Sequence, residues 1–328
     1  MGLTGSKAFD PIVDVPSLEG KVALVTGANR GLGYAVSLAL AQKGAKVYVT
    51  CRSLSKAEEA VRGMSTVDPG VALRLRPLGV ELGSVRSAKA AGEEVLREEG
   101  ESGRLDILVC NAAQTGGPYA ETEEGISTAI ASNHLGHFAL TKTLLPLLER
   151  TARLPGSDVR VISVSSDAHS FTPKPVQFKT VADFRQDCGS KKGSIVVEMT
   201  RYGQSKLANI LFAKELQRRW TAAGVPGIAL ALHPGGISTQ GARNFLGWWY
   251  LLFGLGFVSP EKAAGPVLLA AAGKRVREEG DKWKGAYVRP VGKVVAPSKE
   301  AEDMGLAKDL WELSERVCAE IEEKGRAE

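Results

Sequence analysis

The sequence predicts one α/β domain, a doubly wound parallel sheet with helices on both faces. Three observations predict it. Short apolar runs suited to buried strands alternate with helical patterns from residue 22 to residue 288, the signature of a parallel sheet. The first run enters its helix through a glycine turn, Gly27-x-x-x-Gly31-x-Gly33. No Pro/Gly/Ser-rich linker divides the chain, and no internal repeat is visible.

The elements follow in order. Residues 1–17 are a lead-in, and residues 18–299 form the domain. Val22–Thr26 is the first strand, all apolar up to its threonine, and Tyr34–Lys43 continues as a helix. Lys46–Cys51 is the second strand and Lys56–Met64 the second helix. Ala72–Leu75 reads as a third strand. Ser84 is the expected N-cap of a helix running to Glu99. Leu105–Cys110 is the fourth strand, Glu124–Leu148 a long helix, and Val159–Val164 the fifth strand. A loop-rich insert covers about 171–199. Thr200–Thr221 is a helix, Gly227–Leu232 the sixth strand, and Ser259–Arg277 a helix opened by Ser259-Pro260-Glu261. Tyr287-Val288 is a last short strand. The charged residues 300–328 read as a C-terminal helical extension, solvated on the surface.

Composition narrows the function classes. The chain has 328 residues, 44% of them hydrophobic, enough for a sizeable core. A net charge of +5 without a basic block gives no sign of a nucleic-acid partner. Cys51, Cys110, Cys188 and Cys318 are scattered without Cys-x-x-Cys spacing, which fits a reducing compartment. Met1-Gly2 with Ser6 fits a short myristoylation pattern, but no apolar signal core or membrane-spanning stretch is present, so the expected location is cytoplasmic.

Strand, glycine turn and helix together open a Rossmann-like dinucleotide-binding unit. The glycines allow a tight turn and let a pyrophosphate approach the helix N-terminus. Taken alone, the triplet also fits a plain strand–helix turn. A second pattern lies at Tyr202-x-x-x-Lys206, whose members share one face of the predicted helix. An ammonium beside a phenol favours the phenolate, and a tyrosine tuned this way can exchange a proton with an alcohol or carbonyl oxygen. An ordinary exposed Tyr/Lys pair is the bland alternative.

These motifs, in this order, resemble the short-chain dehydrogenase/reductase family in its classical form, over residues 18–295. Within the family the chain is most similar to the retinol-dehydrogenase-like subgroup, through Asn29-Arg-Gly-Leu-Gly33, Asn133-His-Leu-Gly-His-Phe138, Ser165-Ser-Asp-Ala-His169 and Ser205-Lys-Leu-Ala-Asn-Ile-Leu-Phe212. The resemblance implies a catalytic tetrad of Asn133, Ser166, Tyr202 and Lys206, with Ser166 preferred over Ser165 for the substrate oxygen. It implies a cofactor site of Gly27, Arg30, Gly31, Leu32, Gly33, Arg52, Glu81, Leu82, Asn111, Ala112, Pro234, Gly235, Ile237 and Thr239, shared with Tyr202 and Lys206. Asn111-Ala112 follows the fourth strand, where the family has Asn-Asn-Ala-Gly; Cys110 and Ala113 depart from that pattern.

Arg52 ends the second strand where an acid would favour NAD, and Arg30 stands in the glycine turn. Two guanidinium groups suit a 2′-phosphate, so NADP(H) is the expected cofactor; a merely solvent-facing Arg52 is the alternative. No metal is expected. His134 and His137 are three apart on a helix, but no Cys or carboxylate cluster joins them. His169 follows Ser166 closely, with a structural and a substrate-side reading both open.

The expected reaction interconverts a carbonyl and an alcohol on a bulky lipophilic substrate, and a non-catalytic NADPH-binding sensor is the competing class. Specificity is expected from the insert between Ser166 and Tyr202 and from the apolar stretch 245–257, read as a lid spanning about 240–258. Peripheral membrane contact through 245–257 is the second reading of that stretch. A homo-dimer or homo-tetramer follows from the resemblance alone.

Overall fold

The computed structural model describes residues 11–189, 194–237, 257–290 and 292–327. Thr239, residues 245–256 of the expected lid and the Met1-Gly2 pattern lie outside the described residues.

Eight strands form one sheet: β1 (Val22–Thr26), β2 (Lys46–Cys51), β3 (Leu75–Gly79), β4 (Ile107–Cys110), β5 (Arg160–Val164), β6 (Ile228–Leu232), β7 (Tyr287–Arg289) and β8 (Lys293–Val295). Their order is β3-β2-β1-β4-β5-β6-β7-β8. All neighbours are parallel except β7 and β8. Val25 lies level with Val49 on one side and Val109 on the other, and every residue of β1 is buried. A strand covered on both faces must be apolar throughout, which is why these runs are legible in the sequence.

Two helical layers cover the sheet. One contains α1 (Gly31–Gln42), α2 (Leu54–Val67) and α6 (Pro260–Ala272). The other contains α3 (Val85–Glu99), α4 (Gly136–Ala152), α5 (Ile195–Ala222) and α7 (Met304–Ala327). Ser84 caps α3 as expected, its hydroxyl accepting from the Ser87 N–H.

Besides α5, which starts at Ile195 inside the expected loop insert, and the unexpected strand β8, four elements depart from the sequence reading. Ala72–Leu75 is not a strand. Pro69–Arg74 forms a 3₁₀ turn capped by Asp68, Leu73 is exposed, and the strand runs over Leu75–Gly79. It contains Pro77, which an edge position tolerates because one side has no neighbour to pair with. The helix expected from Glu124 begins at Thr128 and passes through a π-turn, Ala131–Leu135, into α4. Glu124 instead holds the start of α3, accepting from the Val85 N–H at 2.8 Å and the Ser84 hydroxyl at 2.7 Å. The helix from Ser259 stops at Ala272, and a separate turn spans Lys274–Glu278.

The fourth departure is α7, which is not merely solvated. Ala307, Leu310, Trp311, Ser314, Val317 and Ile321 form a buried stripe. Trp311 packs edge-on against Phe138 at 4.9 Å and stacks on Phe212 at 5.9 Å. His134 Nε2 meets the Ser314 hydroxyl at 2.8 Å.

Candidate active site

Every expected site residue among those described stands at or beside a C-terminal strand end, or on α5 and the π-turn facing them. That is where ligands bind in open parallel sheets, at the point where strand order reverses, here between β1 and β4.

The glycine turn closes β1. Gly33 admits no side chain: a Cβ there would lie 2.4 Å from the Gly27 carbonyl oxygen and 2.6 Å from Asn111 Nδ2. Asn111 donates through that Nδ2 to the Thr26 carbonyl at 2.7 Å, so its side chain locks β4 to the turn. Thr26 is a hub that sequence reasoning missed. Its hydroxyl accepts from the N–H groups of Asn111 and Ala112 and meets His137 Nε2 at 2.8 Å. With both lone pairs taken, the hydroxyl proton has two acceptors in reach, the Val109 carbonyl at 3.3 Å and the nearer His137 Nε2, while His137 Nδ1–H donates to the Asn133 carbonyl at 3.1 Å. Burial holds the His137 pKa down to about 4 and so favours the neutral ring.

A dinucleotide fits this edge. Arg30, exposed at the N-cap of α1, makes no side-chain cap, so the first N–H groups of the helix stay open to a pyrophosphate. Leu32 is buried beneath the turn. Arg52 is 76% exposed in its side chain and pairs with Glu81 Oε2 at 3.0 Å. Such surface pairs are worth about 0–1 kcal/mol, so a phosphate can compete for the guanidinium. Glu81 also accepts from the Gly83 N–H, and Leu82 is buried. Pro234 and Gly235 follow β6, and Ile237 bridges to Val258.

The tetrad residues converge. Asn133 sits buried in the π-turn, its Nδ2 donating to Ser205 Oγ at 2.9 Å and to the Gln114 carbonyl at 3.0 Å, its Oδ1 accepting from the Gln114 N–H at 2.7 Å. Lys206 is 1% exposed; its Nζ donates to the Val164 carbonyl at 2.9 Å and lies 5.5 Å from the Tyr202 ring centroid. The Ser166 hydroxyl stands close enough to Tyr202 to pull the phenol's pKa down, and it accepts from the Ala168 N–H at 3.2 Å. Ser165, by contrast, is buried and donates to the Lys206 carbonyl, which removes it from contention. Gly203 makes this approach feasible: a Cβ there would strike the Phe171 carbonyl oxygen at 1.8 Å.

The electrostatics differ from the sequence expectation. Burial pushes the Tyr202 phenol up to about 12, against a smaller opposing pull from Ser166, and pushes Lys206 down to about 7. Desolvation is the largest influence on both groups, so the tyrosine is raised where the lysine charge was expected to lower it.

Ser166 is fixed from both sides. Asp167 receives the Tyr287 hydroxyl at 2.9 Å and pairs with Arg289. His169 Nδ1 donates to the Ser166 carbonyl at 2.8 Å, and its Nε2 accepts from the Ser298 N–H at 3.0 Å. His169 therefore serves a structural role here. A cleft opens beside Tyr202 between α5 and the loop after β4, lined by Gln114, Gly116, Gly117, Tyr119, Glu198 and Arg201 among others. This loop was not singled out in the sequence; beyond Asn133, its anchors Arg185, Glu198 and Arg201 lie more than 60 residues away.

A doubly wound sheet with a glycine turn at its switch point and a Tyr-x-x-x-Lys helix against it defines a nucleotide-dependent oxidoreductase. The comparisons agree. The family model described as short chain dehydrogenase matches residues 21–176. A short chain dehydrogenase/reductase of Colletotrichum higginsianum, dpchH, is 40% identical over 309 residues, covering 92% of this chain and 75% of that one. Retinol dehydrogenase 13 of Mus musculus is 35% identical over 311 residues, covering 92% and 84%. The crystal structure of an uncharacterised protein from Mycobacterium paratuberculosis superposes with a TM-score of 0.72 at 32% identity, covering 95% of this chain and 98% of that one. The chain belongs to the short-chain dehydrogenase/reductase family and has a retinol-dehydrogenase-like relationship within it. No helix among the described residues is long and apolar enough to cross a membrane.

Proposed function

We propose that the protein is an NADP(H)-dependent oxidoreductase that interconverts a carbonyl and an alcohol on a bulky lipophilic substrate. The observation that carries this reading is the convergence of Tyr202 and Lys206 on one face of α5, with the Lys206 Nζ 5.5 Å from the Tyr202 ring centroid and buried. Gly27, Gly31, Gly33 and the open amides of α1 would hold the pyrophosphate, and Arg30 and Arg52 the 2′-phosphate. When bound, the nicotinamide supplies or accepts the hydride.

The chain's own residues handle the proton. At neutral pH the Tyr202 phenol, with its pKa near 12, carries a proton, the loaded state of an acid that donates to a carbonyl oxygen. Ser166 holds that oxygen in line. Lys206 binds the ribose, and through Asn133 the relay continues toward solvent. A protonated Lys206 beside the phenol lowers the cost of releasing the proton. Residues 18–299 serve as the catalytic domain and 300–328 as its helical extension, and the apolar composition of 245–257 supports its role as a substrate lid.

The cofactor part is tested by parallel fluorescence titration with NADPH and NADH. NADPH should bind much more tightly, and Arg52→Asp should erase the difference. Equal or preferential NADH binding by the wild-type protein would overturn the reading of Arg30 and Arg52.

A further inference from the structure

The π-turn Ala131–Leu135 carries two buried polar side chains in succession, and they point to different neighbours. Asn133 faces the tetrad, bonded to Ser205 Oγ and to both the N–H and the carbonyl of Gln114. His134 faces α7 instead. Its ring stands among Phe138, Phe184 and Phe212, each 6.1 Å away between centroids, and its Nε2 meets the Ser314 hydroxyl at 2.8 Å.

That contact is shut off from water, with His134 2% and Ser314 0% exposed. The Ser314 hydroxyl also lies 2.7 Å from the Leu310 carbonyl, which holds it against its own helix. The helix in turn is fixed: Trp311 stacks on Phe212, Glu315 pairs with Lys142 of α4, and Glu322 pairs with Lys89 of α3. π-turns are rare and occur mostly at functional sites, where side chains from elsewhere must support the wider turn. Here His137 Nδ1 supports it from the β1 side, through the Asn133 carbonyl, and Ser314 supports it from the α7 side. A buried ring nitrogen deprived of its partner is costly, so loss of the hydroxyl favours a shift of the turn.

We propose that Ser314 is a positioning residue: through His134 it fixes the π-turn and so sets where Asn133 stands in the active site. The C-terminal helix is then part of the catalytic unit. The kinetic arm of the test rests on the oxidoreductase reading, and the exchange arm does not.

The Gln114 N–H reports Asn133 directly, because it donates to Asn133 Oδ1 at 2.7 Å. The test is amide hydrogen exchange of the full chain without cofactor, with Asn133→Ala setting the rate of a released Gln114 amide. Ser314→Ala should speed exchange at Gln114 by about 10-fold, the size of one lost hydrogen bond, with β5 and β6 protected as in wild type. Ser314→Thr keeps the hydroxyl and should exchange as wild type does. His134→Phe keeps a ring without nitrogens, should match Ser314→Ala, and decides where that variant fails to fold. Unchanged exchange at Gln114, or equal loss of protection across the sheet, would overturn the proposal. In NADPH consumption with lipophilic ketones, Ser314→Ala should lose about 10-fold in kcat with KM nearly unchanged, and Ser314→Thr should restore it. An unchanged kcat in Ser314→Ala would also overturn the proposal. Absence of turnover by wild type would instead remove the oxidoreductase reading, and the exchange rates would then decide the role of Ser314.

Discussion

Among the described residues, Lys206 pairs with no carboxylate; its Nζ donates to the Val164 carbonyl. Burial therefore sets its charge, pulling its pKa from the ordinary 10.5 to about 7. The consequence for stability has a definite sign. The unfolded chain keeps the lysine proton up to about pH 10.5, whereas the folded protein releases it near 7. Between these values the unfolded state binds more protons, so this residue makes stability rise with pH. Lys206→Met has no proton to lose. Urea denaturation without cofactor should show the difference in unfolding free energy, wild type minus Lys206→Met, moving in favour of wild type from pH 7 to pH 10. The buried thiols also titrate in the alkaline range but are common to both proteins and cancel. A flat difference would mean that Lys206 is hydrated or paired in solution.

At the scale of the element, α7 and β3 show why some patterns misled and others did not. α7 is rich in Glu and Lys, which hid a stripe at helical spacing, Ala307, Leu310, Trp311, Ser314, Val317 and Ile321. Trp311 carries that face, meeting Phe138 and Phe212, with the Arg219 guanidinium 4.4 Å over its ring. Truncating a buried tryptophan costs about 3–5 kcal/mol. Trp311→Ala should destabilise the protein by that amount in urea, whereas a loss below about 1 kcal/mol would return α7 to a solvated role. β3 misled for the opposite reason. Its apolar-looking neighbours Val71-Ala72-Leu73 belong to a 3₁₀ turn, while the true strand carries Arg76 and Pro77 at a sheet edge where burial is incomplete. β8 is three residues long and antiparallel, too short to stand out from a loop.

Over the whole molecule, the central strands were legible because a sheet covered on both faces demands unbroken apolar runs, and β1 and β2 fall on the bounds read from the sequence. The glycine turn and the Tyr202–Lys206 pair were legible because each is local, within seven residues. What joins them was not. Thr26 reaches His137 across 111 positions, and Arg201 reaches Gly117 across 84. No spacing rule connects such partners; only the parallel sheet, by bringing the C-terminal ends of its strands to one edge, makes them neighbours. The same geometry tied Glu81 to Arg52, two residues read separately as cofactor contacts.

The most direct test of the central claim follows NADPH consumption over a panel of lipophilic ketones and aldehydes with wild type and Tyr202→Phe, alongside NADPH titration of both. The account predicts turnover by wild type, a loss of at least about 1000-fold in Tyr202→Phe, within the range for removing a positioned acid, and nearly equal NADPH affinity. Retained turnover in Tyr202→Phe would contradict the assignment of Tyr202 as the proton donor.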